Sequence, residues 1–196
     1  MAELVHDVPE PGDESIPETI RAATGHLGRS LELLDRLLRQ VPRGAEAGPV
    51  SLAESLAFAK DLHRAHRTSI QLDVDAALSP SLPAIRGVEQ ELEQILLNLL
   101  VNSLEAMGER IDGVIRLRSE TVDGGVRLMI EDDGPGVPPE LGERVFEPYV
   151  TGRPGAKAGL GLTAARALAT RWGGTLDWEP MDRAGARFAL RLPGWK

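Results

Sequence analysis

The sequence contains no cysteine, so neither a disulfide framework nor a thiolate metal site is open to it. That absence points to a reducing, cytoplasmic setting. Aromatic residues supply only 4% of the chain, and the core must therefore be built from Leu, Val, Ile and Ala. No apolar run reaches the ~18 residues needed to span a bilayer. The opening stretch, Met1 to Glu14, is acidic and Pro-rich; it has neither the basic start nor the apolar stretch of a signal peptide. Basic residues are also short, 22 against 30 acidic, for a formal charge of −8. Broad binding to a phosphate backbone needs the opposite balance, which argues against nucleic acid as a partner. A small anionic ligand stays open, because backbone amides and one or two local cations suffice to hold phosphate.

What is present organises into three stretches of the 196 residues. Residues 1–14 read as a disordered acidic leader. Residues 15–46 read as a helix and linker: Ile20, Leu27, Leu31, Leu34 and Leu38 recur at three- and four-residue steps, with Leu37 beside them, and Ser15 with Glu18 resembles a capping box. A packing arm and a dimerisation helix fit that pattern equally. Pro42 to Pro49 carries the linker composition. From 47 to 196 the pattern mixes helices and strands without strict alternation, which favours an α+β two-layer sandwich. Helices are expected from Ser51 to His66, Val88 to Met107 and Leu160 to Trp172. Strands are expected from Ser69 to Val74, Val114 to Val122, Val126 to Glu131, Thr175 to Trp178 and Ala186 to Leu192. Asp123-Gly124-Gly125 reads as a hairpin turn.

Four segments carry chemistry. On the long helix, Gln94, Asn98 and Asn102 stand four apart on one face of an otherwise apolar stretch. Their amides are either satisfied by neighbouring backbone or offer oxygens to a hard cation such as Mg²⁺. Asp132-Asp133-Gly134-Pro135-Gly136-Val137 follows a strand. Its glycines permit a sharp turn, and its carboxylate can accept from an exocyclic amine; a solvated turn has the same composition. Gly159-Leu160-Gly161-Leu162 opens a helix, where amides and dipole suit phosphate, although many helices start after glycine. Arg144 to Tyr149 precedes a flexible stretch with Arg153 and Lys157; Phe146 and Tyr149 read as packing residues that anchor a lid.

In that order and spacing the segments resemble the ATP-binding domain of sensor histidine kinases, in the superfamily shared with DNA gyrase. Asn98 and Asn102 match the N box, Asp132 to Gly136 the first glycine box and Phe146-Glu147-Pro148 the F box. Gly159 to Leu162 match the second glycine box, and Gly173-Gly174 the pair after its helix. The resemblance implies the Bergerat ATP-binding fold, a mixed sheet covered on one face by about three helices and here preceded by an N-terminal helix. It implies ATP and Mg²⁺ as cofactors, with Asn102 ligating the metal and Asn98 beside it. Asp132 would take the adenine amine, with Gly134, Gly136 and Val137 wrapping the base. Lys157, Gly159, Leu160, Gly161 and Leu162 would lie along the phosphates.

The implied activity is protein-histidine kinase, serving a phosphoacceptor histidine domain and a response-regulator receiver domain, with a homodimer formed through the N-terminal helix. The ATPase relatives carry a water-activating glutamate at the place of Asn98, which cannot act as a base. Glu105 stands where many relatives have a cation, and is expected to face solvent. No phosphoacceptor motif is present: Pro9 and Pro11 stop a helix after His6-Asp7, and His26, His63 and His66 lack the acidic neighbour. The phosphorylated histidine is therefore expected outside this chain. A regulatory nucleotide-binding module without kinase activity and an anti-sigma-factor-type serine kinase are the rival readings.

Overall fold

A computed structural model describes residues 46–65, 70–74, 82–108, 112–151 and 159–196. The segments expected as a leader (1–14) and a helix (15–41), most of the expected linker, and the residues His6, His26, His66, Arg153 and Lys157 lie outside the described residues, as does the side chain of His63.

The described elements run β1 (Gly48–Val50), α1 (Leu52–Ala65), β2 (Gln71–Val74), β3 (Ile85–Gly87), α2 (Glu89–Met107), β4 (Val114–Val122) and β5 (Gly125–Asp132). A short 3-10 helix (Gly142–Phe146), α3 (Gly161–Arg171), β6 (Thr175–Glu179) and β7 (Arg187–Pro193) follow. Five strands form one sheet in the order β2-β4-β5-β7-β6, in which β2 and β4 are parallel and the other pairs antiparallel. The sheet is mixed and the class is α+β, as the residue pattern predicts.

Period-two alternation decides the layers. Leu117, Ile130, Phe188 and Trp178 sit in one row across β4, β5, β7 and β6, with Leu128 opposite Leu190 and Val126 opposite Leu192. This face packs on the helices, and all of these side chains but Trp178 are buried. The next residues along each strand form the opposite row, Arg116, Glu131, Arg187 and Glu179. There Arg187 pairs with Glu131 at 2.7 Å and Arg127 bridges Glu120 at 2.8 Å and Glu179 at 2.5 Å. Partly exposed pairs of this kind add little stability each; their effect is to keep the outer face polar.

Two short strands are not legible in the sequence. β1 and β3 pair antiparallel outside the main sheet, with Val50 opposite Ile85 and both buried. At three residues each, with Pro49 inside β1 and Pro83 just before β3, they are too short to show a period.

α2 is the spine. Leu92, Ile95, Leu96, Leu99 and Leu100 are fully buried along it, so it meets the sheet on one side and its helical neighbours on the other. Glu89 and Glu91 in its first turn suit the helix dipole. Glu91 does more than that. It is 0% exposed, accepts from the indole Nε1 of Trp172 at 2.7 Å and pairs with Arg171 at 2.5 Å. One buried carboxylate thus ties the start of α2 to the end of α3. Because Arg171 is half exposed, water can take over its charge if the partner is lost; the buried indole N–H has no such recourse. Glu91→Ala should therefore lower unfolding stability by about 1–3 kcal/mol, the cost of stranding a buried donor. Urea denaturation reads this directly, and an unchanged midpoint would show that the clamp contributes nothing.

Candidate functional site

The polar stripe on α2 places Gln94, Asn98 and Asn102 half-buried along one line of the helix. Gln94 Nε2 donates to Asn98 Oδ1 at 3.0 Å, which leaves Asn98 Nδ2 buried and without a partner. An unpaired buried donor costs ~1–3 kcal/mol and calls for an explanation. Gly161, the first residue of α3, supplies the context. A Cβ built on it would stand 3.9 Å from Asn98 Cβ and Cγ, so the turn that opens α3 lies directly over the Asn98 carboxamide. That helix start has Leu160 as its cap residue, with no side-chain cap and no acid in its first turn. The Asn98 carboxamide and the start of α3 are therefore neighbours, and the free amides of a helix N-terminus suit an anion.

The other end of the site is Asp132, the last residue of β5 and 1% exposed. Its Oδ1 accepts from the backbone N–H of Gly134 at 3.0 Å and of Ala186 at 3.3 Å, and its Oδ2 from the Ser103 hydroxyl at 3.1 Å. Burial pushes the Asp132 carboxyl above the usual range, while these three donors pull it back. Asp133 turns away and accepts from Val114 N–H at 2.9 Å. Gly136 has a φ of +84° and, like Gly134, has no room for a side chain: a Cβ on Gly136 would meet Gly185 O at 2.8 Å. Val137 packs against the core beyond it.

Gly159 marks the end of the segment read as a lid. With φ at +63°, its missing Cβ would stand 2.6 Å from Val150 O, so residues on either side of 152–158 come together there. The F-box segment is fixed from α3: Thr163 Oγ1 donates to Phe146 O at 2.9 Å, and the Arg166 guanidinium lies 4.3 Å from the Phe146 ring centre. Phe146 is buried edge-on to Phe188 at 6.1 Å. Leu160 is buried and Leu162 packs on the core. Tyr149 corrects the expectation that it is a packing residue. It is 50% exposed with a φ of +65°, because the turn after Pro148 directs it outward. Glu105 is exposed, as expected.

Among the predicted residues, then, Asn98 and Gly161 come together, and Asp132 meets Gly134. Lys157 lies outside the described residues. Sequence reasoning missed Ser103, Gly185 and Ala186. Gly185 has a φ of +123°, and a Cβ there would fall 2.0 Å from Asp132 O, so the β6–β7 connection presses directly on the first glycine box. Ser103 did leave a signal: it is the polar member of the buried row Leu92, Ile95, Leu96, Leu99, Ser103.

The Asp132 shift has a consequence for stability. Between its ordinary value and its raised folded value, the folded protein holds a proton that the unfolded chain has lost, so stability falls as pH rises through that window and is level above it. Asp132→Asn cannot titrate. The stability of wild type minus that of the variant should therefore be largest at the acid end of the window; a difference constant with pH would contradict this.

Residues 87–196 match the profile of the histidine kinase-, DNA gyrase B- and HSP90-like ATPases. The chain is similar to the C4-dicarboxylate transport sensor protein DctB of Rhizobium meliloti, with 33% identity over 89% of this chain and 28% of that protein. Among solved structures it is similar to the ATP-binding domain of PrrB from Mycobacterium tuberculosis, with 27% identity, a TM-score of 0.63, and coverage of 78% of this chain and all of that one. It is also similar to full-length ShkA in complex with AMPPNP, with 29% identity, a TM-score of 0.68, and coverage of 96% of this chain and 40% of that one. The chain spans 24–53% of the length of curated relatives such as DctB and the sensory histidine kinase/phosphatase NtrB.

Proposed function

The chain belongs to the histidine kinase-, DNA gyrase B- and HSP90-like ATPase family, and from that premise we propose that it is the ATP-binding catalytic domain of a sensor histidine kinase. In this reading it moves the γ-phosphate of ATP to a histidine on a phosphoacceptor domain, for relay to an aspartate of a response-regulator receiver domain. The observation that supports the reading is the Asn98 side chain, with an unpartnered Nδ2, lying next to the uncapped start of α3, because phosphate oxygens are acceptors for both kinds of N–H.

Asp132 would accept from the adenine amine, while Gly134, Gly136 and Val137 shape the wall around the base. Asn98 and the amides from Gly159 to Leu162 would bind the phosphates, with Lys157 approaching from the lid. The donor set fits Mg²⁺. Among the described residues no group of three or more His, Asp or Glu is placed to hold a metal; Mg²⁺ characteristically relies on one or two protein oxygens plus substrate phosphates, and Asn102 would supply one such oxygen. Bound there, Mg²⁺ would neutralise phosphate charge. In the transfer itself a histidine nitrogen bonds to the γ-phosphorus, the bond to the β–γ bridging oxygen breaks, ADP leaves, and the imidazole N–H proton is released. Asn98 takes no proton in this scheme, so water is not activated and ATP persists until histidine arrives.

No described helix is long and apolar enough to cross a membrane, and we place the domain in the cytoplasm, where ATP and a receiver domain are available. The 15–41 helix would pair two copies into a homodimer. Incubation with Mg²⁺ and γ-labelled ATP should label an added phosphoacceptor histidine domain and leave this chain unlabelled. Absence of label on any added histidine domain, with ATP still bound, would favour the regulatory module. Asn98→Glu puts a carboxylate where water can be activated. It should raise ATP hydrolysis by about 100-fold, the lower end of the range general-base catalysis supplies, at the expense of transfer. Equal turnover in both proteins would remove the distinction drawn at Asn98.

A further inference from the structure

We propose that Ser103 is a positioning residue that holds the Asp132 carboxylate in one orientation, and that this sets selectivity for a 6-aminopurine over a 6-oxopurine. The inference rests on the nucleotide reading above and adds a residue to it.

Helical serines and threonines ordinarily turn back on their own helix. Two do so here: the Ser55 hydroxyl bonds Ser51 O at 3.3 Å and the Thr170 hydroxyl bonds Arg166 O at 2.8 Å. Ser103 does not. It is 0% exposed and donates to Asp132 Oδ2, 29 residues away, at 3.1 Å. Of the three donors to that carboxylate, the Gly134 and Ala186 N–H groups are backbone, and both go to Oδ1. Ser103 is the only side-chain donor of the three.

Each carboxylate oxygen has two acceptor directions. Two backbone N–H groups occupy Oδ1, and Ser103 occupies one direction of Oδ2. One direction is left, and the three donors fix where it points. An exocyclic amine donates into it. A 6-oxo group there sets one lone pair against another, and a carboxylate that cannot rotate cannot relieve the repulsion. Without the Ser103 donor only the two Oδ1 bonds oppose rotation of the carboxylate, so Oδ2 is held less firmly, the amine gains less and the oxo group loses less. Ser103 also directly follows Asn102 in α2, so the same turn of helix aims the base acceptor and carries the proposed metal ligand.

The test is calorimetric binding of ATP and of ITP to the full chain with Mg²⁺, for wild type, Ser103→Ala and Ser103→Thr. ITP replaces the 6-amino group by oxygen and leaves sugar and triphosphate unchanged. Alanine removes one oxygen from a helix that favours it, so the fold is retained. The ITP-to-ATP ratio of dissociation constants should fall about tenfold in Ser103→Ala, since a hydrogen bond to a charged group is of that size, and should be kept in Ser103→Thr. A merely structural tie weakens both nucleotides equally. An unchanged ratio in Ser103→Ala therefore overturns the role of Ser103 while leaving the nucleotide site intact. Failure of the wild type to bind either nucleotide overturns both.

Discussion

A buried carboxylate with three donors is the constraint around which the site is organised. Asp132 ends β5, yet its partners come from α2, from the glycine turn that follows it and from the β6–β7 connection. A charge so far from water is tolerable only if its lone pairs are met. The four segments are therefore fixed relative to one another by the need to satisfy one side chain. The glycines follow from that demand: Gly185 leaves its side-chain position to the Asp132 carbonyl, and Gly136 leaves its own to Gly185.

α2 transmits this order to the other end of the pocket. It is anchored at its start by Glu91 to Arg171 and Trp172 of the α3 end and near its end by Ser103 to Asp132, and in its middle Asn98 lies against the α3 start. The leucines and Ile95 between these points bury its other face. A helix of 19 residues therefore keeps Asn98 and Ser103 at a set spacing, as the proposed binding of phosphates at one and of the base beside the other requires. The outer sheet face, with its Arg and Glu rows, takes no part and is balanced in charge.

Much of this was legible in the residues. Alternation in β4, β5 and β7 separated the buried row from the charged row, and the apolar stripe of α2 gave its length to within a residue. The four-residue spacing of Asn98 and Asn102 and the two glycine turns marked the pocket. Legibility failed where the cause lay at long range. β1 and β3 are strands only because Val50 and Ile85 meet in a buried pair. Tyr149 is aromatic but points outward, since its backbone is held at positive φ and cannot return it to the core. Ser103 stands out along α2 only as the polar member of a buried row, its role depending on a partner 29 residues later, and Gly185 is required only because the hairpin closes onto Asp132.

The account turns on where a purine lands, and a crystal structure of the chain with AMPPNP and Mg²⁺ tests that most directly. It should place the exocyclic amine on the open direction of Asp132 Oδ2 and the metal on the Asn102 side-chain oxygen, with the phosphates over the α3 start. A base bound away from Asp132, or a triphosphate that leaves Asn98 Nδ2 unpaired, would contradict it.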